Sequence, residues 1–129
     1  MRAVWIVVAS SLSFAAPAHS LESANELLSS CERFLAIARI DGNRVSMTRN
    51  EPPAFECWGY LGAFQELSAI RHDGEKIPIT RACLPAESSL VQLIRVFVSY
   101  AQKHPEDLHQ RAGLVALEAL QAAFPCRKS

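Results

Sequence analysis

The sequence predicts an all-α protein, a compact bundle of about four helices stapled by two disulfides. Three observations lead there. Apolar residues recur at helical spacing over separate stretches, capping and turn signals punctuate those stretches, and four cysteines are spread along them. The chain has 129 residues, 50% of them apolar, so one core of useful size is available.

The first helix opens at Ser23, where Ser23-Ala24-Asn25-Glu26 forms a capping box ahead of an apolar run. Leu27, Leu28, Cys31, Phe34, Leu35 and Ala38 make one stripe, which turns Cys31 inward. Asp41-Gly42-Asn43 is read as the helix stop, and residues 41–54 as a polar loop closing on Pro52-Pro53. A second helix is expected from about Pro53 to about His72. Cys57, Leu61 and Phe64 share its face, Tyr60 and Leu67 lie at the edge, and Arg71 and His72 fall in the last turn, where cations suit the helix dipole. Asp73-Gly74 is the expected terminator.

The third helix starts at Ser89 with another capping box, Ser89-Leu90-Val91-Gln92. Its pattern is the cleanest in the chain. Leu90, Leu93, Ile94, Phe97, Val98 and Ala101 face one way, and Gln92, Arg95, Ser99, Gln102 and Lys103 face the other. His104-Pro105-Glu106-Asp107 resets the chain, with proline suited to the first helical position and acids to the first turn. A fourth helix then runs to about Phe124. It is apolar on two sides: Leu108, Ala112, Val115, Ala119 and Ala123 on one, Leu117 and Leu120 near Gly113 on the other. Such a helix is either central in the domain or shared with a second subunit. No stretch is read as a strand.

The first twenty residues have the outline of a signal peptide. Arg2 supplies a positive charge, Ala3 to Ala15 is an uncharged apolar run, and small residues follow. Cleavage is expected after Ser20, with Ala18 as the alternative. The run is shorter than the roughly 20 apolar residues of a membrane span. Residues 21–129 then form a single exported domain without a membrane span. Acidic and basic residues balance, 13 of each over the whole chain, and no basic stripe exists to follow a phosphate backbone. Nucleic acid is not an expected partner.

In an exported chain, four cysteines are most simply two disulfides. Zinc would need Cys31, Cys57, Cys83, Cys126 and some of His72, His104 and His109, yet no CxxC or CxH spacing preassembles two ligands. No metal and no cofactor are expected. Spacing alone leaves three pairings open. The helices narrow them: Cys31 and Cys57 face inward on the first two helices, while Cys83 and Cys126 reach the same end of an antiparallel third and fourth pair. The expected bonds are Cys31–Cys57 and Cys83–Cys126.

Nothing in the chain forms a catalytic set. No nucleophile-elbow glycine pattern occurs, and nothing in the spacing brings Glu66 and Glu118 together as paired carboxylates. His72 and Asp73 are neighbours in a helix-ending turn. The reading is a non-enzymatic protein that works by surface contact. Its candidate contact is the charged loop from Arg71 to Arg81, with Arg71, His72, Asp73, Glu75 and Lys76 as partner-binding residues around Gly74 and Pro78. The loop from Asp41 to Pro53 stands second.

The run Cys57-Trp58-Gly59-Tyr60-Leu61-Gly62, then Cys83-Leu84-Pro85, Gln92-Leu93, Tyr100, His104-Pro105, Leu108-His109, Ala119-Leu120 and Phe124-Pro125-Cys126, resembles the Rap/Tai family. These are periplasmic immunity proteins of bacterial type VI secretion. The chain departs from the family pattern at Ala63 and Glu66, where glycine and aspartate are usual; small and acidic characters are kept. The resemblance implies a small helical protein that binds and occludes a cell-wall-degrading amidase effector, and that forms a homodimer. The alternative from a different class is a periplasmic helical chaperone or stress-response binding module, for which the two apolar sides of the fourth helix would serve.

Overall fold

In a computed structural model covering residues 21–127, four α-helices pack around one main core and a β-hairpin hangs from the end of the first. The expected signal peptide, residues 1–20, lies outside the described residues, as do residues 128–129. Helix α1 spans Ala24–Ile37, strands β1 and β2 span Ala38–Asp41 and Arg44–Met47, and α2 spans Pro52–Leu67. Helix α3 covers Leu90–Lys103, a 3₁₀ turn covers Pro105–Asp107, and α4 covers Ala112–Ala123. The protein is mostly helical but not all-α.

The capping box at Ser23 forms in full. Ser23 Oγ accepts from the Glu26 amide at 3.3 Å, and Glu26 Oε2 accepts from the amides of Ser23 and Glu22 at 3.1 and 2.9 Å. At Ser89 only half of the expected box is present: the Ser89 hydroxyl accepts from the Gln92 amide at 3.2 Å. Helix α2 begins on Pro52, whose missing N–H costs nothing in a first turn. Glu51, before it, spends its carboxylate on Arg33 at 3.0 Å and Arg49 at 3.7 Å instead of capping.

Three sequence expectations are corrected. The polar loop after α1 is in large part an antiparallel hairpin, with Ala38 opposite Met47 and Ile40 opposite Val45. Ala38, Val45 and Met47 pack on the core, and Arg39, Asp41, Arg44 and Ser46 take the other face. The turn is two residues long and starts on Gly42 at φ +57°, a conformation glycine adopts at no steric cost. Gly42-Asn43 is thus a hairpin turn between alternating residues, not a helix stop.

Helix α2 ends at Leu67, five residues before His72. Ser68 donates its hydroxyl proton back to the Phe64 carbonyl at 2.8 Å, and Ala69 and Ile70 close tight turns onto Glu66 and Leu67. Arg71 and His72 therefore lie in the following loop, outside the helix dipole's reach.

Helix α4 starts at Ala112, not near Pro105. The amides of Ala24 and Asn25, unpaired donors of the first turn of α1, take the carbonyls of Gln110 and Leu108 at 2.8 and 2.9 Å. Ala112 in turn donates to Glu22 at 3.0 Å. With the Ala112 amide given to Glu22 and the Leu108 and Gln110 carbonyls turned to α1, no helical ladder runs through residues 108–111. Leu108 is half-buried outside α4, and Ala123 is exposed where a core position was expected.

The core holds Leu27, Cys31, Phe34, Cys57, Leu61, Ile94, Phe97 and Val115, all fully buried. Cys31 is bonded to Cys57 inside it, joining α1 to α2. On the second apolar side of α4 the chain itself covers Leu120, buried with Leu93 and Ala82 beneath Phe64, Leu84 and Phe124, while Leu117 is half-buried. Cys83 is bonded to Cys126 beside this smaller cluster. In the chain-entropy picture each crosslink contributes about 3–4 kcal/mol for loops of 26 and 43 residues.

Phe34 is fully buried and stacks obliquely on Trp58 at 5.3 Å between ring centres. Replacing it by alanine removes that contact and leaves a void beside the buried disulfide. Phe34→Ala is expected to cost about 3–5 kcal/mol in urea unfolding with both disulfides intact. A loss under about 1 kcal/mol would show that this core is not close-packed.

Candidate functional site

The connection between α2 and α3 is the most elaborated loop of the molecule. Its two legs meet where the Ile79 amide donates to the Ile70 carbonyl at 2.9 Å, closing residues 70–79 into a compact excursion. Gly74 turns the tip at φ +79°, and the Glu75 amide donates to the His72 carbonyl at 2.9 Å. Pro78 is buried at the base of the returning leg.

Below that closure the loop is sewn to the body by a directional chain of hydrogen bonds. Ser68 has one hydroxyl proton and gives it to Phe64. At the 3.0 Å contact between Ser68 Oγ and Thr80 Oγ1 the Thr80 hydroxyl is therefore the donor. Thr80 Oγ1 accepts in turn from the Ala82 amide at 3.4 Å, and the Thr80 carbonyl accepts from Gln121 Nε2 on α4 at 2.8 Å. Ser68, Thr80 and Ala82 are all buried, so each of these bonds replaces a solvation that the site cannot supply. Next come the Ala82–Pro125 bridge, the 2.8 Å bond from the Cys83 amide to the Phe124 carbonyl, and the Cys83–Cys126 bond. A short, rigid joint thus carries the loop.

The five residues expected to bind a partner all lie exposed in this loop. Their roles divide. Arg71 braces the loop from within: Nε donates to the Lys76 carbonyl at 3.0 Å and Nη1 to the Ala69 carbonyl at 3.2 Å. His72, Asp73, Glu75 and Lys76 form the charged tip. Beside them is an apolar surface that the charge-based reading missed. Ile70 is 50% exposed, Ile77 and Ile79 are each 39% exposed, and Leu67 at the end of α2 is 38% exposed. Ile77 and Ile79 line one shallow hollow with His72, Asp73 and Glu75, while Phe55 and Leu114 are exposed elsewhere on the body. The signal was Lys76-Ile77-Pro78-Ile79, β-branched residues placed where no helix can bury them. The second expected loop has become the hairpin, where Ile40 is 41% exposed.

No acid–base or nucleophile–base pair is assembled at this loop among the described residues. No hydrogen bond or ion pair joins Glu66 to Glu118. The cysteines expected as disulfides have no free thiol among them. His104, Glu106 and Asp107 bring three metal-ligand atoms within 4.8 Å of one another. All three are already engaged: His104 Nδ1 meets Glu106 Oε1 at 3.2 Å, and Asp107 Oδ1 accepts from Gln110 Nε2 at 2.6 Å. A bond to its own backbone amide and then the His104 contact hold the Glu106 carboxyl below the usual range. The cluster closes the turn before α4, with the His104 ring stacked on Tyr100 at 4.2 Å.

A family model described as Rap1a immunity proteins matches residues 23–126, from the N-cap of α1 to the last cysteine. The chain belongs to the Rap1a immunity protein family. Members are immunity proteins, so a cognate effector is the class of partner that family membership gives this chain. The match spans all four helices and both crosslinks, and it includes the α2–α3 loop. No curated protein and no solved structure gives a significant match to the chain.

Thr80→Val keeps the shape of the joint but removes its hydroxyl, leaving the buried Ala82 amide without an acceptor. The expected cost is about 1–3 kcal/mol in urea unfolding, largely recovered in Thr80→Ser. Equal stability of Thr80→Val and wild type would show that the hydroxyl chain does not hold the loop.

Proposed function

We propose that this family member is a periplasmic immunity protein that binds and occludes a cell-wall-degrading amidase effector of type VI secretion. Its contact surface is the 70–79 loop. Export with loss of residues 1–20 and a homodimeric mature form belong to the same proposal. Three things support the reading. Family membership supplies the class of activity. Two disulfides suit an oxidising compartment such as the periplasm, where an effector that cuts peptidoglycan would be met.

The carrying observation is the loop itself. Occluding an enzyme's cleft requires a protruding element that keeps its shape, because ordering a floppy one on binding costs affinity. Here a backbone bond closes the excursion, a buried hydroxyl chain anchors it, and Ile70, Ile77 and Ile79 stand exposed beside a charged tip. The apolar side chains supply desolvation and the charges supply orientation and encounter rate. The protein acts as a plug, with no chemistry of its own.

Binding to a purified candidate effector of the NlpC/P60-like amidase class tests this by calorimetry. Joint replacement of Asp73, Glu75 and Lys76 by alanine should weaken binding with the melting temperature nearly unchanged. Joint replacement of Ile77 and Ile79 by serine should weaken it more, by at least about 2 kcal/mol or roughly 30-fold. Affinity unchanged in both variants would clear the loop of the role.

A further inference from the structure

The two disulfides sit at different depths and do different work. Cys31 and Cys57 are both fully buried in the main core, while Cys83 and Cys126 are half-buried at the edge of the molecule. Thiol–disulfide exchange requires a thiolate to reach a sulfur, so the two bonds differ in access before any difference in energetics.

What the outer bond holds is a backbone under strain. Arg81, between buried Thr80 and buried Ala82, has φ +56°, the only positive φ of a non-glycine residue among the described residues. No feature of its own side chain favours that conformation; it is exposed and outside every ion pair described here. Left-handed backbone at such a residue persists only where its neighbours over-determine it. On one side Thr80 is fixed by Ser68 and Gln121. On the other, Ala82 is bridged to Pro125 and the adjacent Cys83 is bonded to Cys126. The strained residue is therefore clamped between a hydroxyl chain and a disulfide, at the point where the 70–79 loop returns to the body.

We propose that Cys83–Cys126 is a reducible latch: it holds Arg81 in its left-handed conformation and so sets the shape of the 70–79 loop, while Cys31–Cys57 keeps the helical body folded in either state. Opening is a two-electron reduction by a thiol, either a low-molecular-weight dithiol or a dithiol oxidoreductase. One S–S bond breaks in the protein and one forms in the reductant, and the two protons of the dithiol end on Cys83 and Cys126. With the clamp open, Arg81 relaxes to negative φ and the loop's closing bonds are lost. That this would also set binding competence rests on the function proposed above; the latch itself does not.

The test uses the mature oxidised protein with both disulfides and dithiothreitol as the reductant, without denaturant. Alkylation and mass mapping are expected to show Cys83 and Cys126 labelled while Cys31 and Cys57 remain joined. In that form, hydrogen exchange at the Ile79 amide and at the Arg81 amide, which donates to the Pro78 carbonyl at 2.8 Å, should quicken by at least about tenfold, with the buried amides of α1 and α2 unchanged. Arg81→Gly supplies the second arm. Glycine takes positive φ without penalty, so its loop should keep most of its protection after the same reduction. Simultaneous reduction of both bonds, an unchanged loop after selective reduction, or equal opening in wild type and Arg81→Gly would each overturn the latch. None of these readouts involves an effector, so they stand or fall separately from the immunity reading.

Discussion

The hydroxyl chain from Ala82 through Thr80 and Ser68 to Phe64 is the constraint on which the proposed contact surface depends. It occupies the few residues where the end of α2, the returning leg of the loop and the end of α4 converge, and all three of its non-aromatic members are buried. In water such a joint would compete with solvent for every bond and gain little. Buried over Leu93 and Leu120, it has no such competitor, and losing one partner leaves the others unsatisfied. The loop can then be polar, exposed and strained at Arg81 and still hold one shape.

The rest of the body provides the same kind of support at larger scale. The first turn of α1 has donors that need acceptors, and the carbonyls of Leu108 and Gln110 supply them. That exchange fixes where α4 begins and ties the chain's two halves together. Cys31–Cys57 crosslinks α1 to α2 within the core, and Cys83–Cys126 ties the joint to the chain's end. The result is a helical block that carries one worked loop, an arrangement suited to the contact proposed above for this immunity protein.

Much of the block was legible in the residues. Leu27, Cys31 and Phe34, or Leu93, Ile94 and Phe97, lie on the buried side their spacing assigns them, because a helix that buries one face must repeat its apolar residues at that spacing. The family could also be read, from the ordered run of Cys57-Trp58-Gly59, His104-Pro105 and Phe124-Pro125-Cys126. What escaped was decided by partners distant in sequence. Ala38-Arg39-Ile40-Asp41 alternates, but four residues are too few to outweigh the helix that runs straight into them. The start of α4 depends on amides more than eighty residues earlier in the chain. At the candidate site, charge drew notice to Arg71, which is occupied within the loop, and away from Ile70, Ile77 and Ile79, whose exposure only the fold decides.

Because Ile70 and Ile79 are hydrogen-bonded neighbours, residues 71–78 can be replaced by an Asn-Gly turn without moving the legs apart. Peptidoglycan cleavage by the effector amidase, followed in the presence of that variant, addresses the central claim most directly. The account predicts a variant that melts close to wild type yet leaves the amidase fully active, while the native protein silences it. Full inhibition by the loop-less protein would contradict the account and move the contact to another face of the helical block.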